Sequence, residues 1–294
     1  MRSCALLAIF LSAAHAQVPD VGAMTSRLSE EAEVFAHAAR NVLAEETLHQ
    51  RTRKPARRFR PRVGDGAGAA PKEEFLTREI VSEYGFSSFK DAPNALHEFR
   101  EVTAVDGRKV QAVEKARRTL TLGVTSADDN LKKQMLKDFE KHGLTGAVTD
   151  FGQLILLFTK RNLGNYHFEP VGHERIGADN AIQLYFQQTG GAESLTVFTG
   201  HEAMRAKLDG TIWLREPDYL PLRIRLRSER REAGFLVAME ATVDYAMSPH
   251  GSVLPASVVH RETAAEKLIT ENVFAYTPFR KFGAESELKF GDVP

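Results

Sequence analysis

The chain has 294 residues, 39 Lys and Arg against 39 Asp and Glu, and a formal charge of zero. Without a basic excess it offers no electrostatic footprint for nucleic acid, and nucleic acid is not expected as a partner. Its single cysteine, Cys4, sits near the start, so later residues can form neither disulfides nor thiolate metal sites.

The first segment reads as an export signal. Met1-Arg2 is a short positive region, Ala5 to Ala14 is apolar and uncharged, and Ala14-His15-Ala16 offers small residues at a cleavage site. Cleavage after Ala16 is expected, leaving Gln17 as the new N-terminus. The apolar run is too short to cross a bilayer, which needs about 20 residues. Cys4 precedes that run and so is not placed to be the lipidated cysteine of a lipoprotein signal. No later segment is long and apolar enough to span a membrane, so none is expected in the mature chain. The mature protein is placed in the periplasm or outside the cell, as a single α+β domain over 17–294.

Residues 26–50 read as a helix, with Ser26 or Ser29 as cap and Leu28, Ala32, Phe35, Ala36, Ala39 and Val42 on one face. Residues 51–71 break the pattern. Arg51 to Arg62 is basic, Val63 to Pro71 is rich in Gly and Ala, and the stretch reads as a flexible loop. Phe75 to Phe89 alternates as a strand. Leu96 to Val113 reads as a hairpin turning at Asp106-Gly107, where both residues tolerate positive φ. Residues 127–143 read as a second helix with Asp128 or Asp129 at its start.

From Gln153 on, strand follows strand. Gln153 to Thr159 is a continuous apolar run of the kind found in a strand covered on both faces. Tyr166–Ile176 and Ala181–Gln188 pair around Gly177. Further strands are read at 195–199, 210–215, 222–228, 235–247, 254–263 and 267–279. Leu222, Ile224 and Leu226 alternate with Arg223, Arg225 and Arg227, so one face of that strand is apolar and the other wet. Short strands joined by tight turns pair antiparallel. A twisted sheet of this size curls. The fold class expected is α+β, a strongly curved antiparallel sheet, or incomplete barrel, covered by amphipathic helices.

Asp209-Gly210-Thr211-Ile212-Trp213-Leu214 followed by Pro217 to Ile224 resembles a recurring strand–turn–strand element. It is similar to the hairpin of exported proteins related to lipoprotein-localisation factors, the LolA/LolB-like superfamily. The resemblance covers the second half of the chain in pattern and that hairpin in residues. It implies a half-barrel that holds acyl chains or other apolar ligands between sheet and helices.

The residues themselves show no catalytic signature. His97-Glu98, His173-Glu174 and His201-Glu202 lack the second histidine of a helix-face zinc site. On a strand, adjacent residues also point to opposite faces. No G-x-S-x-G elbow is present, and Gly64 to Gly68 lacks the lysine of a phosphate loop. No metal and no cofactor are expected. The reading ranked first is a non-enzymatic carrier of lipid or acyl chain. Its cavity would be lined by Leu214, Leu222, Ile224, Leu226, Val237 and Met239, with Trp213 at a pocket or in the core. The alternatives are an envelope module with a filled core that engages a protein partner, and a hydrolase with an unrecognised site.

Overall fold

The computed structural model describes residues 20–54, 73–142, 146, 150–191, 195–199, 202–232 and 234–281, with the backbone alone for 195–199, 202–206 and 232. The expected export signal and most of the basic, glycine-rich stretch lie outside the described residues.

Helix α1 runs Val21–Ala38, capped by Asp20, whose carboxylate accepts from the Ala23 amide at 3.1 Å. Met24, Leu28, Ala32 and Phe35 fall at helical spacing and are all fully buried. The helix does not continue to residue 50. After a short 3-10 turn at Ala39–Asn41 the chain becomes strand β1, Val42–Arg53. Val42 and Leu48 suit either period. Tertiary pairing decides, because β1 lies between two other strands and its alternate residues Ala44, Glu46, Leu48 and Gln50 are buried.

β2 (Phe75–Ser87), β3 (His97–Val105) and the short β4 (Arg108–Lys109) follow. The β3–β4 turn is Asp106-Gly107 with φ of 50° and 74°, the positive pair that such a hairpin requires. Helix α2 (Val113–Thr125) is absent from the sequence reading, its stripe reduced to Ala116, Leu120, Gly123 and Val124. Helix α3 is Asp129–Glu140, capped by Asp128. The Lys132 ammonium donates to the Ser88 carbonyl at 2.6 Å, and the Ser87 hydroxyl donates to the Val124 carbonyl at 2.6 Å. These bonds hold α2 and α3 against β2 and β3, next to one end of the sheet.

The apolar run after Gln153 is a short 3-10 helix, Leu154–Phe158, and not a strand. Periodicity cannot separate the two in so short a run. Next come β5 (Tyr166–Ile176), β6 (Asp179–Gln188), β7 (Leu195–Thr199), β8 (Glu202–Ala206), β9 (Asp209–Arg215), β10 (Pro221–Glu232), β11 (Phe235–Met247), β12 (Val253–Ala264), β13 (Lys267–Tyr276) and β14 (Arg280–Lys281). β7 and β8 form a separate two-stranded ribbon.

The other 12 strands make one open antiparallel sheet in the order β4-β3-β2-β1-β13-β12-β11-β10-β9-β6-β5, with β14 beside β1. The sheet is strongly curved. Helix α1 touches both β12 and β5, which are five strand spacings apart, about 24 Å on a flat sheet. Gly152 likewise bonds both Glu98 of β3 and Tyr245 of β11, strands equally far apart in the order, a reach that a wrapped sheet provides. The free edge, β5, carries Pro170 and an irregularity between Pro170 and Gly172, features that discourage pairing with another chain.

The Phe35 ring meets Phe86 of β2 edge-on at 5.6 Å. Phe158 of the 3-10 helix meets Phe186 of β6 at 4.9 Å. These two rings connect the covering layer to opposite halves of the sheet. Phe35→Ala is expected to destabilise the fold by about 3–5 kcal/mol, read as a lower midpoint in urea or thermal unfolding. An unchanged midpoint would show that α1 does not belong to the core.

Candidate functional site

Cross-strand register orders the concave face into rows. One row runs Leu48–Phe274–Val258–Val243–Ile224–Ile212–Leu184 through β1, β13, β12, β11, β10, β9 and β6. Every one of these residues is buried. Against the row pack Met24, Leu28, Ala32 and Phe35 of α1 and Leu154, Ile155 and Phe158 of the 3-10 helix, all in one core.

Four of the residues expected to line a cavity, Leu214, Ile224, Leu226 and Met239, belong to this core on the concave face. Val237 is buried too, opposite Arg230 and outside the main cluster. Leu222 sits where the β9–β10 register shifts, between Pro221 and Arg223, and is only half-buried. The register shift takes it out of the alternation that its spacing from Ile224 suggests. Trp213 is on the other face. Its indole donates to the Glu174 carboxylate at 2.8 Å, and the Arg225 guanidinium lies 5.0 Å from its ring. Being one residue from Ile212 and Leu214, it must point away from them. It is therefore a buried anchor of the convex face, and its hydrogen bond holds the Glu174 carboxyl below the usual range.

Two polar clusters border the apolar row. The first centres on Arg100. Its guanidinium donates to Glu46 at 2.7 and 2.9 Å and to Glu98 at 2.7 Å, and all three side chains are buried. Tyr84, Phe139 and Phe274 lie against the guanidinium, with ring centres 5.1 to 5.5 Å away. Glu98 Oε1 also accepts the Gly152 amide at 2.6 Å. The Tyr245 hydroxyl donates to the Gly152 carbonyl at 3.2 Å and accepts from the Ile155 amide at 3.0 Å. Beside it, Asp150 accepts from the Glu98 amide at 3.1 Å and shares a hydrogen bond with His97 at 2.9 Å. A Cβ at residue 152 would sit 2.9 Å from both Glu98 Oε1 and the Tyr84 hydroxyl, so only glycine permits this approach.

Two carboxylates facing one guanidinium in a dry interior cannot both be fully compensated. Burial, opposed by Arg100, pushes the Glu98 carboxyl up to about 7. The hydrogen bond to Asp150 raises the His97 imidazole above its usual value.

The second cluster lies one row toward the hairpin turns. Gln50 donates to Asn272 at 2.6 Å, and Asn272 donates to His260 Nδ1 at 3.1 Å. Phe151 stacks on the His260 ring at 4.7 Å. Burial, reinforced by Arg230, pushes the His260 imidazole down to about 4, so it is neutral near pH 7. None of Glu46, Arg100, Asn272 and His260 stood out in the sequence. The available signal was a polar residue on the buried parity of a strand, such as Gln50 two after Leu48. Among the described residues no group of three or more His, Cys, Asp or Glu could hold a metal ion. His173 pairs with Glu216 at the surface at 2.8 Å, and His201 lies outside the described residues.

No protein-family model and no curated protein sequence matches the chain. Several solved structures are similar to it over most of its length. A DUF1329 family protein from Desulfovibrio piger is 9% identical, covers 90% of this chain and 94% of its own, and gives a TM-score of 0.38. A LolA superfamily protein from Nitrosomonas europaea is 11% identical over 90% and 97% of the two chains, with a TM-score of 0.30. The Pseudomonas aeruginosa MucA/MucB complex is 14% identical over 88% and 98%, with a TM-score of 0.21.

The two shifted groups pull stability in opposite directions with pH. Between about 4.5 and 7 the folded protein keeps a proton on Glu98 that the unfolded chain has lost, so this contribution falls as pH rises. Between about 4 and 6.5 the unfolded chain binds a proton at His260 that the folded protein does not, so that contribution rises. Glu98→Gln removes only the first. Its stability relative to wild type is expected to improve steadily from pH 5 to 7.5 in urea titrations. A constant difference across that range would mean Glu98 is not held protonated by the fold.

Proposed function

We propose that this is an exported, non-enzymatic binding protein of the bacterial envelope. Its concave face takes an apolar ligand such as a lipid or acyl chain. The observation that carries the reading is the construction of the core. A continuous apolar row across seven strands is covered by one helix and one short 3-10 helix, and not by a second sheet. The protein's own side chains occupy the face, and an acyl chain would take the place of Met24, Leu28 and neighbours. Each methylene buried there contributes about 0.8 kcal/mol. Leu214, Ile224, Leu226, Met239 and Val237 are the proposed ligand contacts. Export by a signal cleaved after Ala16 belongs to the same proposal. The buried Glu46–Arg100–Glu98 group serves to hold the segment that carries the 3-10 helix.

A second reading is favoured by the tight packing of that same face. Phe35, Phe86, Phe158 and Phe186 already fill it with edge-on ring contacts. A permanently filled core suits an envelope module that works through a protein partner.

Fluorescent fatty-acid uptake by the purified protein separates the two. Leu28→Ala weakens the covering layer by about 2–5 kcal/mol. If ligand must displace that layer, the variant melts lower yet binds fatty acid at least tenfold tighter. Absence of uptake by both wild type and variant would leave the filled-core reading standing.

A further inference from the structure

The concave face is not apolar throughout. Toward the hairpin turns its next rows change chemistry. In register, Leu76, Thr52, Thr270, Glu262, Met239 and Ser228 line up across β2, β1, β13, β12, β11 and β10. They share the parity of the apolar row and so face the same concavity. We propose that this end of the concave face, with Thr52, Thr270 and His260 as the contacting groups, binds the uncharged, hydroxyl-bearing head of an amphiphile. The inference rests on the apolar-ligand reading and adds the part of the ligand that the apolar row does not explain.

Three observations point to a ligand there. Thr270 is 0% exposed, and its hydroxyl has no hydrogen-bond partner; the buried Thr52 hydroxyl opposite it has none either. A buried hydroxyl left unmade is costly, and such sites call for an explanation. Second, the charges nearby are already matched. Arg230 is paired with Glu262, and Arg78 donates to the His142 carbonyl and lies 3.7 Å from Asp106. His260 accepts from Asn272 at Nδ1, so its neutral ring carries the proton on Nε2 and offers a donor without charge. An ionised head would find no counter-charge, whereas hydroxyls find donors and acceptors. Third, large apolar side chains stand exposed on the same parity at the rim, Leu76 at 55% and Phe235 at 59%. A row that runs from an exposed apolar rim, past polar groups, to the buried apolar row matches the outline of an amphiphile.

The test is calorimetric titration of the purified protein with 1-monolauroylglycerol and with dodecanoate, below their aggregation concentrations. The two share a chain length and differ in the head. Wild type is expected to prefer the glycerol ester. Thr270→Val keeps the shape and removes the hydroxyl. It should weaken monolauroylglycerol binding about three- to tenfold, leave dodecanoate unchanged, and leave thermal stability equal or higher. Thr270→Ser restores a hydroxyl and should restore the preference, and it serves if the valine variant does not fold. Equal binding of both ligands by wild type, or a valine variant that keeps the preference, overturns the head subsite and leaves the apolar-ligand reading intact. Failure of both ligands to bind overturns the two together.

Discussion

Gly152 is bonded on both sides to strands that are far apart in the sheet. Its amide goes to Glu98 of β3 and its carbonyl to Tyr245 of β11. Five strand spacings separate those strands, about 24 Å on a flat sheet. A single residue, with the two side chains that reach it, spans them because the sheet curls, and the bonds in turn fix how far it curls. The next residues, Leu154–Phe158, are delivered to the middle of the concave face by this anchor. Helix α1 then packs against them and completes the core.

Such an anchor has to be built from buried polar groups, and it brings a cost. Glu46, Glu98 and Arg100 leave water together, and the excess carboxylate is relieved by moving Glu98 toward its neutral form. Apolar side chains of the same size would pack at least as stably but would not choose one position for residues 150–153. Directional bonds to a backbone amide and a backbone carbonyl do choose. The cluster is thus best understood as a device that places residues 150–153.

The concave face then divides by chemistry along the strands. Its middle row is aliphatic and aromatic, while the rows to either side carry Arg100 with its carboxylates, and Gln50, Asn272, His260 and the two threonines. The convex face is charged and internally paired, with Arg223 to Asp244 and Arg261 to Glu271, and Trp213 is locked down by Glu174. On the inner face the Thr52 and Thr270 hydroxyls are buried without a hydrogen-bond partner.

Much of the architecture could be read from residues alone. Alternation in Ile224 and Leu226 against the arginines, the Asp106-Gly107 turn and the stripe of Leu28, Ala32 and Phe35 are local patterns, and local sterics and burial periodicity are sufficient to specify them. They determined an antiparallel sheet with one apolar face and an amphipathic helix to cover it. Residues 42–50 and 154–158 were different. Their apolar spacing fits more than one period, so only pairing of β1 between β2 and β13, and packing of the 3-10 helix under α1, decided their form. The same holds for the site. Leu214, Ile224 and Leu226 declare their face by parity, but Leu222 and Trp213 depend on a register shift and on a partner 39 residues away. The Glu98, Arg100, Gly152 and Tyr245 anchor joins positions up to 147 apart along the chain, counting from Glu98 to Tyr245. Sequence spacing carries no information about which distant polar side chains will meet once the sheet curls.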